Sequence, residues 1–228
     1  LRPDAVSLLL KQNGTKYQTV KLTAKDALTA AEKKAAGISD EMDVWDKEVP
    51  VSSVDENGKA YTYTVEEPTV PSPYTLESTS SDAKTGIYSV TNLGTSSLTI
   101  RKTTKGPGAD EDNTAFTFTV TLTQPGSTKA YTGRTLKLYK NGSTTGEDIQ
   151  TDAKGTCTVS LRSGESAKID FIPIGTGYTV SEDGKQAEYY TTSYTSDKQT
   201  TETTLQDNSR TVTGTVAPKD ASFVAFTK

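Results

Sequence analysis

Histidine is absent from this sequence of 228 residues, cysteine occurs once, and no apolar run is long enough to cross a membrane. The absence of histidine excludes histidine-dependent catalytic triads, histidine-ligated metals and histidine-based pH switches. The single cysteine, Cys157, excludes an internal disulfide and a metal site built from several cysteines. We therefore expect no metal, no cofactor and no contact with a membrane.

The balance of charges excludes a further class of partner. The 25 basic and 29 acidic side chains are spread along the chain without a dominant block. Binding to nucleic acid needs a concentrated basic face. We therefore expect no nucleic-acid partner.

Alternating valine, threonine and tyrosine residues dominate what the sequence does contain. Hydrophobic residues make up only 32% of the chain, but eleven tyrosines and many alternating segments distinguish it from a disordered protein. One helix is predicted at residues 25–36, where Gly37 ends a run rich in alanine, lysine and glutamate. The pattern predicts an all-β protein made of antiparallel, immunoglobulin-like sandwiches, the first with a short helical insert.

The alternation also places the individual strands. In one of them Cys157 shares a face with Val159 and Leu161, which favours a buried core cysteine over a reactive thiol. The predicted strands cover residues 6–10, 17–22, 60–67, 74–78, 86–92, 98–103, 115–123, 136–139, 156–161, 167–171, 177–182, 189–194, 211–216 and 222–227.

The pattern Tyr-x-Val-x-Glu occurs twice, at residues 63–67 and 178–182. In a strand, the tyrosine, valine and glutamate of each copy project from the same face. Because tyrosine and valine belong in a core, we expect Glu67 and Glu182 to lie in the core beside them. Burying a lone carboxylate is costly, so each glutamate is predicted to be neutral, hydrogen-bonded or engaged in chemistry.

The spacing of this repeat predicts the domain organisation. The two copies lie about 115 residues apart, which is the length of one domain. Small and polar residues at 93–97 form the best boundary, with strands predicted on both sides. We therefore predict two tandem domains, residues 1–94 and residues 95–228. No signal peptide precedes Leu1, and the abrupt start predicts a piece of a longer protein.

The first half of the chain contains an opening Arg-Pro-x-x-Val pattern, a predicted strand ending in Glu67 and a predicted strand ending in Asn92. These segments resemble the Cna-B-type domains of Gram-positive surface adhesins and pilins. The second half is similar to the pilin-type variant of the same domain. Together the matching segments cover nearly the whole chain, at residues 1–14, 61–67, 88–92, 98–106, 116–120, 161–166 and 172–182.

The resemblance implies an intramolecular isopeptide bond between a lysine of the first strand and an asparagine of the last. A buried acid promotes the reaction, because an apolar core favours the neutral amine and a protonated carboxyl polarises the carboxamide. Ammonia leaves, and the fixed positions of the reactants replace an enzyme. The resemblance assigns Lys102 and Asn92 as cross-linking residues. It assigns Glu67 and Glu182 as the promoting acids.

Each implied triad is incomplete in this sequence. In the second domain, Lys228 stands where the family has asparagine, so the acceptor is lost or the true terminus differs. In the first domain, the lysine-bearing strand would precede Leu1 and is missing, and Lys11 belongs to a later strand. If that strand exists in the full protein, Asn92 would bond to a lysine outside this sequence. If it does not, Glu67 and its asparagine partner would be ordinary buried hydrogen-bonding groups. From alternation alone, a solvated strand lysine is favoured over a reactive one at Lys102, and the resemblance reverses that preference.

The leading functional hypothesis is a structural module in the stalk or shaft of a Gram-positive cell-surface adhesin or pilus. Its location would be extracellular, on the cell wall or pilus, and its partners would be other domains or subunits of that assembly. The alternative is an adhesin region in which residues 25–54 bind a host matrix protein or glycan. We predict no turnover enzyme, because Glu67 and Glu182 lie in separate predicted domains and cannot form a glycosidase pair.

Two weaker sites are also present in the sequence. Residues 110–113 are acidic, but the spacing of an EF-hand loop is missing, so a solvated loop is predicted. Trp45, Tyr61 and Tyr63 could form a stacking platform for sugars, although a core cluster is the favoured interpretation.

Overall fold

The structure is a computed structural model that describes residues 3–39, 42–106, 114–183, 191–205 and 210–228. The chain divides into two compact units, Leu1–Leu93 (unit 1) and Gly94–Lys228 (unit 2). Strands dominate both units and helices are few and short, so the predicted all-β class is confirmed. No helix among the described residues is both long and apolar enough to cross a membrane.

Unit 1 contains a three-stranded antiparallel sheet, a strand pair and a short helical insert. The sheet has the strand order β2–β1–β3, and β4 pairs with β5. The turn between β1 and β2 is the predicted Asn13–Gly14 turn, whose positive φ values of 50° and 80° suit these two residue types. The elements of unit 1 are β1 (Ala5–Gln12), β2 (Thr15–Thr23), a 3₁₀ helix (Ala24–Asp26), α1 (Ala30–Ala35), β3 (Tyr63–Glu66), β4 (Tyr74–Asp82) and the first part of β5 (Ile87–Thr103).

The helical insert differs from the single helix predicted at residues 25–36. Thr23 and Thr29 each cap a separate helix, and each forms a capping box with an acid three residues later, Asp26 and Glu32 respectively. The second cap requires an extended residue at Thr29, which interrupts the helix. The predicted insert is therefore present, but its predicted extent was wrong.

Unit 2 contains two sheets that enclose the core. One has the strand order β13–β12–β15–β5–β10–β7–β8 and the other has the order β14–β11–β6–β9. The strands that follow β5 are β6 (Phe116–Thr123), β7 (Thr135–Lys140), β8 (Glu147–Gln150), β9 (Thr156–Leu161), β10 (Ser166–Pro173), β11 (Gly177–Glu182), β12 (Ser193–Ser196), β13 (Thr203–Thr204), β14 (Thr211–Thr215) and β15 (Ser222–Thr227). Residues 189 and 190 of the predicted strand 189–194 lie outside the described residues.

The first and last strands of unit 2 lie side by side. β15 pairs with β5 in parallel, with Phe226 opposite Lys102, whereas the other strand pairs described in this unit are antiparallel. β5 also continues without interruption through residues 93–97. The predicted break between strands at these residues was therefore wrong. The small side chains of Thr95 and Ser96 are buried in the ladder between β5 and β10, which explains their size.

The core of unit 2 follows the predicted alternation. Phe116, Phe118, Val120 and Leu122 point inward, and none is more than 2% exposed. Cys157 is also buried, and burial raises the pKa of its thiol to about 11, so the predicted core role is confirmed. Unit 2 therefore closes around a continuous apolar cluster.

The core of unit 1 is much less closed. Among its described hydrophobic residues, only Leu10 and Leu22 are buried, at 7% and 8% exposure. The remaining apolar side chains on the inner face of β1 are partly exposed, including Val6 and Leu8. Unit 1 therefore carries a sheet face that its own described strands cover only in part.

Candidate functional site

The centre of unit 2 is a buried cluster of two lysines, one glutamate and one aromatic ring, which we call the unit 2 centre. Lys102 Nζ lies 3.1 Å from Glu182 Oε1, and Lys228 Nζ lies 3.2 Å from Glu182 Oε2. All three side chains are fully shielded from solvent. Both Nζ atoms also lie over the ring of Phe116, at 4.3 Å for Lys102 and 4.6 Å for Lys228.

The strands of both sheets build the unit 2 centre. Lys102 lies near the end of β5, and Lys228 directly follows β15, where its backbone N–H donates to the carbonyl of Thr103. Glu182 ends β11 in the opposite sheet, opposite Phe118 of β6. The two ion pairs therefore cross the core and join the first strand, the last strand and the facing sheet.

The charges of the unit 2 centre are unusual for a protein core. Two amines face one carboxylate, so the fully ionised cluster carries one more positive charge than negative charge. Desolvating ions is costly, and close ion pairs offset that cost only while each charge keeps its partner. The π-face of Phe116 adds a second favourable contact for both amines. Glu182 is the shared partner of both ion pairs.

Lys228 is a member of the site that sequence reasoning treated only as a lost acceptor. The signal for its position is nevertheless present in the alternation, because Val224 and Phe226 point inward along the same strand. Continuing that period by two residues places Lys228 in the core as well. The identity of its partner, Glu182, comes from another strand and could not be read from this pattern.

The second predicted acid, Glu67, lies directly after β3 in unit 1 and binds Asn92 of β5. The Nδ2 group of Asn92 donates to both carboxylate oxygens, at 3.1 Å to Oε1 and 2.8 Å to Oε2. The hydroxyl of Tyr88, also in β5, donates to the carbonyl of Tyr63 at 2.7 Å. The structure therefore brings these two predicted residues together, and we call them the unit 1 pair.

Two features make the unit 1 pair chemically distinctive. Burial raises the pKa of the Glu67 carboxyl above its usual value of 4.5, and the hydrogen bond from Asn92 opposes that shift without reversing it. The Oδ1 atom of Asn92 is buried, and no described residue donates a hydrogen bond to it. A carboxyl whose pKa is raised therefore lies beside a carboxamide whose oxygen accepts no hydrogen bond from a described residue.

Lys11 is the one lysine of β1, the first described strand of unit 1. The structure places its Nζ 2.6 Å from Glu66 Oε1, on the exposed side of the sheet. Because Glu66 and Glu67 are consecutive along the chain, their side chains leave it in different directions. Lys11 is therefore paired away from Glu67. Among the described residues, no lysine forms an ion pair with Glu67.

The structure describes the two weaker predicted sites only in part. Tyr63 packs edge-on against both Tyr17 and Tyr61, and Tyr17 is 47% exposed, so this aromatic cluster reaches the surface. The acidic loop predicted at residues 110–113 lies outside the described residues. Across the part of the chain that the structure describes, no group of three or more acidic, cysteine or histidine side chains could hold a metal.

Comparisons with known protein families match both units. Residues 1–93 match the family model described as Cna protein B-type domain, so the resemblance predicted for this half is confirmed. Residues 96–223 match the family model described as domain of unknown function (DUF7601). No curated protein sequence matches the chain.

The chain also aligns with solved structures at low sequence identity. The major pilin from Streptococcus pyogenes is 17% identical, with 98% of this chain and 89% of that chain aligned and a TM-score of 0.43. The major pilin T3.2 from S. pyogenes serotype GAS13637 is 15% identical, with 98% and 89% aligned and a TM-score of 0.41. The pilus-presented adhesin Spy0125 (Cpa) is 21% identical, with 59% of this chain aligned and a TM-score of 0.40. This chain spans only 27% of that adhesin's length.

Proposed function

Since the chain belongs to the DUF7601 family through residues 96–223 and carries a Cna protein B-type domain at residues 1–93, we propose that it is a stalk or shaft module of a bacterial cell-surface adhesin or pilus. The proposal places the protein outside a Gram-positive cell, on the cell wall or pilus. Its partners are then neighbouring domains or subunits of the same assembly. Its role is structural, and no turnover reaction is assigned to it.

The observation that carries this proposal is the pairing of the first and last strands of unit 2. Because β5 and β15 run in parallel, a force that pulls on the start of one and the end of the other acts along the strands. Such a force loads their hydrogen bonds together instead of one after another. A stalk domain needs this arrangement, because tension reaches it through its two ends.

The unit 2 centre adds a clamp at the end of that strand pair. We assign Glu182 as the anchor that holds Lys102 of β5 and Lys228 of β15 to the facing sheet. Lys228 has no carboxamide for an amine to attack, so the amide expected between Lys102 and the last strand cannot form at this position. In this chain the clamp is therefore ionic. In a variant with a carboxamide in place of Lys228, we assign Lys102 as the nucleophile.

For unit 1 we assign Asn92 as the carboxamide acceptor and Glu67 as the acid that promotes amide formation. Burial raises the pKa of Glu67, and in its protonated form the carboxyl can donate to the carbonyl oxygen of Asn92 once the carboxamide rotates by half a turn. Donation to that oxygen polarises the carbonyl for attack by an amine. The same acid can then return a proton to the departing nitrogen.

Single-molecule pulling on the two ends of the chain tests the structural role. We expect unit 2 to extend at a higher force than unit 1, and Glu182→Ala to lower the force for unit 2. If unit 2 extended at the same force in the native chain and in this variant, the clamp would not resist the pulling force, and the proposal would be contradicted. Antibody labelling of intact cells that make the protein tests the proposed location, and label confined to broken cells would contradict it.

A second candidate function is recognition of a host matrix protein or glycan by residues 25–54. This segment exposes three apolar side chains, Met42, Val51 and Val54, at 51%, 41% and 45% of their surface. Exposed apolar groups favour contact with a partner protein when they form one patch. Binding of the chain to immobilised matrix proteins, reduced by changing these three residues to serine, would support this role. Unchanged binding would contradict it.

A further inference from the structure

The outer face of the larger sheet in unit 2 carries a row of four side chains that crosses four strands. Lys168 of β10 lies opposite Tyr139 of β7 on one side and opposite Thr99 of β5 on the other. Thr99 in turn lies opposite Phe223 of β15. Each of the four is preceded along its strand by a buried residue, so alternation turns the row away from the core. An aromatic ring therefore stands at each end of a polar pair, three strand spacings or roughly 14 Å from the other ring.

A polar groove of about 440 Å³ lies along part of this row. Pockets that hold small ligands have volumes of about 300–1,000 Å³. Side chains with hydroxyl, ammonium or carboxylate groups line the groove: Thr99, Tyr139, Ser143, Ser166, Lys168 and Asp170. A ligand that fills it therefore meets donors and acceptors of several kinds at once.

Both rings at the ends of the row are held by packing. The ring of Tyr139 lies against Gly146, where an added Cβ would come 2.7 Å from the ring atoms Cε1 and Cζ. The guanidinium of Arg101 lies 5.2 Å from the centroid of the Phe223 ring. Rings held in this way lose little side-chain entropy when a ligand stacks on them.

Two carboxylates hold Lys168 in place between the rings. Its Nζ lies 3.1 Å from Asp170 Oδ2 and 3.2 Å from Asp220 Oδ2. An ammonium has three N–H donors, so these two contacts leave one for a ligand. With Arg101, the row and its partners contain two positive and two negative side chains. Because these charges balance, the groove favours a neutral ligand over an ion of either sign.

A β-bulge in β10 exposes a third aromatic ring directly after Asp170. The register between β10 and β5 gains one residue between Ile169 and Ile172. Both isoleucines are fully buried, whereas Phe171 is 37% exposed. Its φ of 64° lies in the left-handed region, where a bulky side chain strains the backbone. Bulges that re-aim a side chain and strained residues both cluster at functional sites, which favours a binding role for this ring.

We propose that this groove binds a neutral oligosaccharide. A sugar ring presents an apolar C–H face bordered by hydroxyls, which matches aromatic rings beside a floor of hydrogen-bonding groups. Phe171 and Tyr139 stack against sugar faces, and Lys168 and Thr99 bind hydroxyls. The core of a protein interface is depleted of charged groups, whereas the floor of this groove carries Lys168 and Asp170. The site belongs to unit 2 and differs from residues 25–54, the segment considered above for recognition.

An array of immobilised oligosaccharides is the first probe, used with the full 228-residue chain. Animal-type glycans built from neutral hexoses and N-acetylhexosamines form one arm, and bacterial wall polysaccharides form the other. The two arms distinguish a host ligand from a ligand of the producing cell. The glycan bound most strongly is then titrated calorimetrically against the native chain and three groove variants, Thr99→Val, Lys168→Met and Phe171→Asn. Tyr17→Ser is the matched control, since it removes an exposed tyrosine of unit 1.

We expect Lys168→Met and Phe171→Asn each to raise the Kd about tenfold, and Thr99→Val to raise it less. Tyr17→Ser should leave the Kd unchanged. Phe171→Asn separates binding from folding, because asparagine adopts the left-handed region more readily than phenylalanine does. The unfolding midpoint of unit 2 should therefore stay the same or rise in this variant while its affinity falls.

Several outcomes would overturn the proposal. A folded chain that binds no glycan of either arm has no such site. Tighter binding to acidic than to matched neutral glycans would show that the ligand class is wrong. Binding that falls in Tyr17→Ser, or on changing Met42, Val51 and Val54 to serine, but not in the groove variants would place the glycan in unit 1. Self-association of the chain that Phe171→Asn abolishes, without glycan binding, would make the occupant a second copy instead.

Discussion

The two units share a sequence pattern around a core glutamate, yet they enclose it differently. In the described part of unit 2, twenty-one buried hydrophobic residues form one cluster, and Glu182 is 3% exposed between two lysines. In the described part of unit 1 only two hydrophobic residues are buried, and Glu67 is partly exposed beside an amide. Unit 2 pairs its last strand with its own first strand, whereas the corresponding edge in unit 1 is free among the described residues.

This difference shows how strand pairing decides the chemistry of an identical motif. A neighbouring strand supplies both the apolar cover that excludes water and the amine that meets the acid. Where both are present, the carboxyl of Glu182 lies within 3.2 Å of two lysine amines. Where no lysine pairs with the acid, partial burial raises the pKa of the Glu67 carboxyl, against the opposing effect of the hydrogen bond from Asn92.

The largest effect is expected from Glu182→Ala. This change removes the carboxyl that forms an ion pair with each of two core lysines, and breaking a buried ion pair in this way costs about 3–5 kcal/mol. Chemical denaturation followed by hydrogen exchange should show the loss in peptides of unit 2. The matched control is Glu66→Ala, which removes an exposed ion pair worth ~0–1 kcal/mol. Equal losses in the two variants would contradict the clamp.

Lys228→Asn should give the next largest effect, in the opposite direction. It places a carboxamide where the family resemblance expects the acceptor for Lys102, so an amide can form and one ammonia, about 17 Da, is lost. A covalent link between strands this far apart in sequence should stabilise unit 2 by on the order of 4 kcal/mol.

Intact mass and the midpoint of thermal unfolding measure both consequences. Lys228→Met is the control, since it removes the excess charge without supplying an acceptor. An unchanged mass in Lys228→Asn would contradict the role assigned to Lys102. A mass loss that persists when Glu182→Gln is added would contradict the role of the acid.

A smaller effect is expected from the pH dependence of unit 1. Because burial raises the pKa of Glu67 in the folded state, the folded state binds a proton more readily than the unfolded state does. The stability from this group is present below its usual pKa of 4.5 and is lost as the pH rises through the folded value. Glu67→Gln cannot titrate, so this part of the pH dependence should disappear.

Trp45 provides the measurement, since it is the only tryptophan and lies in unit 1. Urea unfolding followed by its fluorescence, at several pH values from about 4 to 8, compares the native chain with Glu67→Gln. A native chain whose stability relative to the variant rises with pH would show that the sign is wrong.

The smallest effect is expected from Lys11→Ala. Lys11 forms a surface ion pair with Glu66, and such pairs contribute roughly 0–1 kcal/mol. We expect little change in the unfolding midpoint of unit 1 and no change in covalent chemistry beyond the substitution itself. A loss of stability well above this range would show that Lys11 takes part in the unit 1 site after all.

Much of the fold was accessible from local patterns. The inward positions of Phe116, Phe118 and Val120, the Asn13–Gly14 turn and the burial of Cys157 all follow from a period of two residues or from turn chemistry. The unbroken course of β5 through residues 93–97 could not be predicted from the sequence. Small polar residues are typical of linkers, and only the neighbouring strand β10 explains why they are buried here.

The sequence by itself determined that both units are built of strands and that Glu182 lies on the inner face of its strand. Alternation is a local property, because each residue's side is set by its immediate neighbours along the strand. The tertiary structure alone decided what each acid meets: two lysines for Glu182, and Asn92 for Glu67. Those partners come from strands far away in the chain, and only the order of strands in the folded sheets brings them together.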